Sequence, residues 1–468
     1  MEFVGRGRYL NWLEEDYADV ARTGEGRFVL IRGRRRVGKS RLVEEFLRRS
    51  GAPNVFFVAS RQSFERELQL FASTLADSGI VASAPGPFRH WEAPLQMVAD
   101  TAKASAPTVI VVDEFPYLVE GRLDVEGTFQ KMWDRVLSRA PVLLIAIGSD
   151  LAVMEAIGGY DRPLHGRPTR ILNVAPFTPT EVQAMLDVDA TTAIDAYLAI
   201  GGFPLVAGSW PRGADLWDFL AQSLSDPTSP MIVDGERSVA AEFPTELQAR
   251  QVLAAIGAGE RTFTAIGHAA NIRQTSLQRA LDLLVNRKRV VESMTPLSTR
   301  ASRERRYAVA DPYLRFWLRF VAPNVDKVER GSGAAILDDI RTAWPSYRGK
   351  AVELLVRDAI RRLLPDPRFE GAGGVGGFWT RGNAVEVDLV LTDRSPRASR
   401  VVAVGSIKWR EGASFGVRDR DQLARLASAV PGFSDDTILF GVSRSGFSTD
   451  LDVKLGPEDL LSAWPPAR

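Results

Sequence analysis

In the first third of the chain, apolar residues fall into short unbroken runs separated by stretches with a longer repeat. The runs are residues 28–31 (FVLI), 54–60 (NVFFVAS), 108–112 (TVIVV), 142–147 (VLLIAI) and 170–174. Their length and continuous apolar pattern predict strands covered on both faces, as in a parallel sheet. Between them apolar side chains recur three and four apart, as at Phe64, Leu68, Phe71 and Leu75. That period predicts amphipathic helices over 9–21, 41–47, 61–76, 88–104, 129–138 and 151–157. Strands alternating with helices predict an α/β, doubly wound domain with a five-stranded parallel sheet over residues 1–178.

Beyond this the rhythm changes. Residues 179–242 read as a small helical lid with helices at 181–186, 193–199 and 216–224. A sharp turn falls at Gly201-Gly202-Phe203-Pro204, where the glycine pair is either a hinge or a helix end. Residues 243–324 give helices at 246–255, 263–269 and 275–284, then short strands at 289–292 and 305–309. This is the order of a winged helix-turn-helix. An aromatic connector follows at 311–324, with Leu314, Trp317, Leu318 and Val321 at helical spacing suited to core packing between domains. Gly331, Ser332 and Gly333 suggest a connection. Residues 335–468 read as a separate α/β module: a helix at 347–364, a loop at 371–377, strands at 378–379, 385–391 and 401–408, a helix at 422–427 and a strand at 437–442.

Composition narrows the chemistry. The 468 residues allow two to four domains, and a net charge of +1 selects no partner globally. The absence of cysteine excludes disulfides, thiolate metal sites and a cysteine nucleophile. The three histidines, His90, His165 and His268, are far apart in sequence, so any metal is expected to be Mg²⁺ on oxygen ligands. The opening MEFVGRGRYL lacks a signal-peptide pattern, and no apolar run reaches membrane-spanning length. The expectation is a soluble cytoplasmic protein without a membrane partner.

The strand at 28–31 leads into GRRRVGKS, residues 33–40, and then into a helix. This fits G-x-x-x-x-G-K-[ST] in the strand–loop–helix context of a phosphate-binding P-loop. Gly33 and Gly38 let the loop turn its N–H groups inward, and the helix N-terminus adds partial positive charge. The loop residues Arg34, Arg35, Arg36 and Val37, with Lys39, Ser40 and Arg41, complete the expected nucleotide cradle. Lys39 would meet the β- and γ-phosphates of ATP, and the Ser40 hydroxyl would ligate Mg²⁺. Asp113 and Glu114 end the strand at 108–112, the edge where open α/β sheets place ligands. Asp113 is placed to hold Mg²⁺ through water, and Glu114 to orient the attacking water as general base. The plainer alternative for both is a pair of solvated acids before a turn at Pro116.

Ser149, after the strand at 142–147, is a candidate γ-phosphate sensor or an N-cap for the helix at 151–157. Arg167 in PLHGR (163–167) is a candidate to stabilise charge on the transferred phosphoryl group, in cis or from a neighbouring subunit. Arg162 and Arg170 compete with it, and a surface-loop arginine is the alternative. Phe3-Val4-Gly5-Arg6 is either a segment that touches adenine or an N-terminal turn packed on the domain.

Two regions point to nucleic acid. Arg273, Gln274, Ser276, Gln278 and Arg279 lie on or beside the predicted recognition helix, within reach of bases or phosphates. Arg287, Lys288, Arg300, Arg303, Arg305 and Arg306 populate the wing and suit phosphate contacts. Double-stranded DNA is therefore a candidate partner through the winged helix, against the alternative of a spacer or protein-contact module. In the last module, Glu353 on a helix, Asp388 on a strand and Lys408 at the end of the next strand fit the skeleton of a PD-(D/E)xK nuclease site, where carboxylates hold metal. Ser406 stands where that skeleton has an acid, and Glu386 is out of the expected position. A degenerate module kept for structure or binding is the stronger reading.

The whole set resembles a prokaryotic ATPase family first noted in archaea. Its members join an AAA-related P-loop ATPase to a winged helix and a C-terminal nuclease-like domain of unknown function. The residues that carry the resemblance are Phe3-Val4-Gly5-Arg6, GRRRVGKS, VVDEFPYL (111–118), Gly148-Ser149, PLHGR, GGFP (201–204), DPYLRFW (311–317), VEVDLV and SIKW. It implies ATP as ligand and an AAA or STAND-like switch, and Ser406 departs from the glutamate usual in the family. The expected function is Mg²⁺-dependent ATP hydrolysis coupled to DNA or a protein partner. The alternatives are a nucleotide-gated DNA-binding regulator with little turnover and an ATP-licensed DNA nuclease with an altered metal site. Oligomeric state is left open.

Overall fold

The structure is a computed structural model, and it describes residues 3–81, 88–120, 122–243 and 245–465. The outermost ends of the first and last expected domains lie outside the described residues. The chain divides into two compact units that meet in sequence at Pro176 and Phe177.

The first unit runs α1 (Gly7–Thr23), β1 (Arg27–Arg32), α2 (Lys39–Ser50), β2 (Asn54–Val58), α3 (Phe64–Asp77), α4 (Glu92–Ala104), β3 (Thr108–Asp113), α5 (Pro116–Val119), α6 (Leu123–Arg135), β4 (Val142–Gly148), α7 (Leu151–Ile157) and β5 (Arg170–Asn173). The strands form one parallel sheet in the order β2-β3-β4-β1-β5. Successive side chains of a strand point to opposite faces, and both faces here are dry. Phe28 and Leu30 join Ile110, Val112 and Leu144 under α3, α4 and α6. Val29 and Ile31 join Val109, Val111 and Ile145 under α1 and α2. This two-sided burial is what makes β1, β3 and β4 read as continuous apolar runs. β4 lies between β1 and β3, so the Ser149 end falls between the phosphate loop and Asp113. The turn expected at Pro116 is a short helix, with proline at its first position, where a missing N–H costs nothing.

The second unit opens with α8 (Pro179–Leu186), α9 (Ala190–Ile200), α10 (Pro204–Gly208), α11 (Leu216–Ser225) and α12 (Pro230–Glu242). α13 (Leu247–Gly257), α14 (Phe263–Ala269) and α15 (Gln274–Asp282) precede an antiparallel hairpin of β6 (Val291–Met294) and β7 (Arg306–Val309). α16 (Pro312–Phe316), α17 (Val325–Glu329) and the 31-residue α18 (Gly333–Leu363) lead into β8 (Gly374–Trp379), β9 (Glu386–Thr392), β10 (Val401–Lys408), α19 (Val417–Ala427), β11 (Ile438–Ser443), β12 (Val453–Leu455) and α20 (Pro457–Leu461). The second sheet has the order β12-β11-β10-β9-β8. Its strands are antiparallel from β8 to β10 and parallel from β10 to β12.

Several sequence expectations change here. The 347–364 helix begins at Gly333, inside the presumed connection, because Gly333 lies so close to the Leu224 carbonyl that a Cβ would overlap it. The 371–377 loop is half strand. Gly374, Gly376 and Gly377 are required by close approaches to Thr392, Leu297 and Arg357, so their glycines mark tight packing rather than a loop. Gly202 likewise abuts the Phe177 backbone, which donates its N–H to the Gly202 carbonyl at 2.8 Å. The aromatic connector packs inside this unit. Trp317 Nε1 donates to the Ile232 carbonyl at 2.9 Å and its ring lies on Gly235.

A single hydrophobic core runs from α8 through α18 to one face of the second sheet, joining Val182, Leu253, Trp317, Val352 and Leu389. Segments 179–242, 243–324 and 335–468 therefore share their interior. The other face of that sheet, with Val390 and Val404, is covered by Leu423 of α19. Among the described residues no helix is long and apolar enough to cross a membrane.

Candidate active site

The loop between β1 and α2 is shaped by two glycines for different reasons. Gly38 has φ of 84°, the left-handed region that glycine tolerates, and is the N-cap of α2. Gly33 sits against the Val174 carbonyl, where a Cβ would clash. Val37 is fully buried and pins the loop to the α1–α2 side of the sheet. Lys39 is buried, and its Nζ donates to the Gly33 and Arg34 carbonyls, each at 2.9 Å. The lysine thus reaches across the loop, and its charge sits where phosphate oxygens would be cradled.

The Ser40 hydroxyl donates to Asp113 Oδ2 at 2.5 Å. The other Asp113 oxygen accepts from the Glu114 amide at 2.8 Å. Burial pushes the Asp113 carboxyl above its ordinary range, opposed by the Ser40 hydroxyl and the Glu114 amide. A hydroxyl and a buried carboxylate facing one another at the end of β3 fit the oxygen donor set that Mg²⁺ prefers. Ser149 Oγ donates to Glu114, with its two carboxylate oxygens at 3.1 and 2.9 Å. The N-cap alternative for Ser149 falls to its neighbour, because Asp150 Oδ1 accepts from the Val153 amide at 3.1 Å. Lys39, Ser40, Asp113, Glu114 and Ser149 therefore form one continuous polar edge above β1, β3 and β4.

Four non-glycine residues at this edge hold left-handed backbone: Arg6, Arg36, Arg61 and Glu114. Such strain collects at functional sites, where the surroundings over-determine it. Arg6 is buried, and its guanidinium donates to the Val37 carbonyl at 3.0 Å, bracing the loop from below. Its segment thus touches the loop through this side chain, and Phe3 packs on the core that includes Val37. Arg35 Nη2 donates to the Tyr117 hydroxyl at 2.5 Å, and the Arg61 guanidinium lies 4.6 Å from the Tyr117 ring centre. These contacts tie the loop to the helix that follows Glu114. Sequence reasoning missed the bracing role of Arg6 and the tie through Tyr117. The only signals were the residues' presence in FVGR and VVDEFPYL. Arg41, by contrast, pairs with Glu44 at 3.2 Å on the outer surface of α2.

Arg167 requires correction as a residue of this site in cis. Its three guanidinium nitrogens are directed to Asp134 at 3.2–3.3 Å and the His165 carbonyl at 2.7 Å. Thr169, two residues on, bonds to Phe28 near the start of β1. The loop leaves the other end of that strand, roughly 16 Å away at strand rise. Arg170 pairs with the buried Asp16 at 2.6 Å, and Arg162 pairs with the buried Glu126. All three arginines serve structural carboxylates.

In the second unit the acids are arranged differently. Asp388 Oδ2 accepts from the Ser406 hydroxyl at 3.0 Å and from the Ile407 amide at 2.8 Å. Glu353 pairs with Arg357 at 3.0 Å, and burial pushes its carboxyl up to about 7. Lys408 faces Asp419 at 3.8 Å rather than Asp388. Among the described residues no three acids or histidines gather into a metal-holding group. Glu386 is clasped by Arg306, at 2.7 and 3.1 Å. Arg306 is itself buried and lies over Trp379, so unlike the other arginines expected in a wing it is not open to a phosphate. Arg273, Gln274, Gln278 and Arg279 are exposed along α15, as are Arg287, Arg300, Arg303 and Arg305. Arg287 pairs with Asp282 at 3.7 Å and Lys288 with Glu242 at 3.8 Å.

Two family models match separate parts of the chain. Residues 3–199 match a family described as an ATPase domain predominantly from Archaea. Residues 317–422 match a family described as archaeal and bacterial proteins of unknown function. An uncharacterised protein of Methanocaldococcus jannaschii is 24% identical over 410 residues, covering 84% of each chain. Among solved structures, the Walker-type ATPase of Pyrococcus abyssi has a TM-score of 0.48 at 19% identity, covering 68% of this chain and 96% of that one. The ORC2 protein of Aeropyrum pernix has a TM-score of 0.47 at 12% identity, covering 70% and 97%. The chain is thus similar to an archaeal-type ATPase domain over residues 3–199 and to a domain of unknown function over residues 317–422.

Proposed function

We propose that this chain is a Mg²⁺-dependent ATP-binding and ATP-hydrolysing switch whose turnover is coupled to double-stranded DNA or to a protein partner. The observation that carries the proposal is the contact of Ser40 with Asp113 at 2.5 Å, with Glu114 and Ser149 joined beside it. A phosphate-binding loop alone serves any nucleotide-binding protein. A carboxylate one residue beyond Asp113, held at the same edge, is what water activation needs.

Ser40 and Asp113 would hold Mg²⁺, which when bound supplies positive charge against the β- and γ-phosphates. Lys39 exchanges its two carbonyl acceptors for phosphate oxygens, a stronger charge-assisted pairing. Glu114 accepts a proton from the attacking water as that oxygen bonds to the γ-phosphorus and the bond to ADP breaks. Ser149 holds the Glu114 carboxylate until nucleotide arrives, then meets the γ-phosphate. The helices α13–α15 with the β6–β7 hairpin follow the order of a winged helix-turn-helix, and exposed Arg273 and Arg279 on α15 support a contact with DNA phosphates.

A second reading, a nucleotide-gated DNA-binding regulator with little turnover, is favoured by the engagement of both Glu114 oxygens with Ser149. An ATP-licensed nuclease has the least support, since Asp388, Glu353 and Lys408 are each paired with other side chains. Steady-state ATP hydrolysis, with and without duplex DNA, separates these readings. Strong stimulation by DNA that disappears in Glu114→Gln supports the coupled ATPase. Negligible turnover under every condition, with ATP-dependent DNA binding, supports the regulator.

A further inference from the structure

The second unit contains a cavity of about 530 Å³ between the end of α13, the β6–β7 hairpin, α16 and α18. Its lining carries six arginine and lysine side chains against two glutamates, Glu260 and Glu353. Half of those cations are already satisfied. Arg315 gives its guanidinium to the carbonyls of Val309, Ala310 and Ala351. Arg306 is held by Glu386 and Asn383, and Arg357 by Glu353 and the Asp388 carbonyl. The other half is not. Lys350 has no hydrogen bond or ion pair among the described residues. Arg261 meets Glu386 only at 3.6 Å, beyond hydrogen-bond reach, and Arg319 commits one nitrogen to the Ala258 carbonyl. These three come from separate stretches of chain, yet line one concavity.

We propose that this cavity is a binding site for a small organic anion, with an oxyanion head on Lys350, Arg261 and Arg319 and an apolar, ring-bearing body. The remaining lining supplies the body's environment: Tyr307, Phe320, Tyr347, Leu354 and Trp379. A volume near 530 Å³ falls in the range of pockets that enclose a molecule of mononucleotide size. Positively charged nitrogens on a concave wall form charge-assisted bonds with phosphate or carboxylate. The same excess of positive charge repels a metal ion, which separates this site from nuclease chemistry at Glu353. Both head groups share the required chemistry, and the experiment separates them.

The probe is 8-anilinonaphthalene-1-sulfonate, an aromatic body with one anionic head, titrated by fluorescence into the full chain. One saturable site per chain is expected. Lys350→Glu and Arg319→Glu should each weaken it about tenfold, the effect of reversing one charge close to the head group. Lys39→Ala should leave it unchanged, so failure here is distinct from failure of the ATPase reading. Displacement by phenyl phosphate but not benzoate identifies a phosphate ligand, and the reverse identifies a carboxylate. Dye binding that is equal in wild type, Lys350→Glu and Arg319→Glu would overturn the proposal. Displacement only by a short DNA duplex would overturn it too, in favour of nucleic acid. Lys350→Ala, a milder change at an exposed residue, replaces either variant that fails to fold.

Discussion

The two sheets of this protein each present acidic and basic side chains near their strand ends, with opposite results. Above β1, β3 and β4, Ser40 meets Asp113 at 2.5 Å and Ser149 meets Glu114 at 2.9 and 3.1 Å, while Lys39 reaches across the phosphate loop to two of its carbonyls. In and beside the second sheet, Asp388 and Lys408 of its strands and Glu353 of α18 are each turned to a different partner. The difference lies in what holds the residues. The first group is positioned by backbone: a glycine-shaped loop, two adjacent residues at a strand end and a neighbouring parallel strand. The second depends on individual side chains, and Asp388 takes the neutral Ser406 hydroxyl as its partner. Backbone placement fixes several side chains at once, whereas side-chain pairing fixes each residue separately.

The comparison can be broken most forcefully at Lys39. Lys39→Ala should weaken ATP binding on the order of 100-fold or more, measured by calorimetry, because two charge-assisted bonds to phosphate are lost. Glu114→Gln should keep ATP binding within a few-fold while turnover falls about 10²–10⁴-fold, the span expected for a lost general base. Normal turnover in that variant would remove Glu114 from the chemistry. Asp195 offers a structural counterpart in the second unit. It is buried and accepts from Trp409 at 2.8 Å, from Arg444 at 2.9 and 3.0 Å and from Arg348 at 3.3 Å. Asp195→Ala leaves Arg348 and Arg444 only the exposed Glu411, at 3.4 and 4.0 Å, and should cost about 3 kcal/mol in a denaturant titration of the second unit.

A smaller effect is expected on the α15 face. Neutralising Arg273 and Arg279 together should reduce the salt dependence of any DNA binding by about two ion equivalents. An unchanged salt slope would shift the partner from DNA to protein. The smallest expected effect sharpens the comparison from the other side. Ser406→Glu should produce no metal-dependent nicking of plasmid DNA, because Lys408 remains on Asp419 and Glu353 on Arg357. Nicking that appears in this variant and vanishes on adding Lys408→Ala would mean that the second site is one substitution from working.

The same distinction explains what could be read from the chain. The phosphate loop, Asp113 and Glu114 were legible because strand–loop–helix order fixes them within a few residues of known backbone. Parallel strands announced themselves through continuous apolar runs, since both faces are covered. Arg167 lies away from the loop of its own chain, because PLHGR carries no information about which end of β1 it reaches. The Arg306–Glu386 clasp spans 80 residues, and no local pattern marks it. Glycines misled in a third way. At 374–377 and at Gly202 they signal contact with a neighbouring chain segment, information that appears only once the partners are adjacent.

The burial of Asp195 also bears on dissecting the molecule. It lies on α9, while its partners Arg348, Trp409 and Arg444 lie more than 150 positions further along. A fragment cut near residue 335 would lose the acceptor that unites these three donors and leave its two arginines only the exposed Glu411, uncovering Trp409 and the apolar face shared with the preceding helices. Fragments severed between Pro176 and Phe177 retain every member of that cluster. Proteolysis under native conditions should therefore release a durable piece beginning near residue 177, whereas pieces beginning further downstream should be digested to completion.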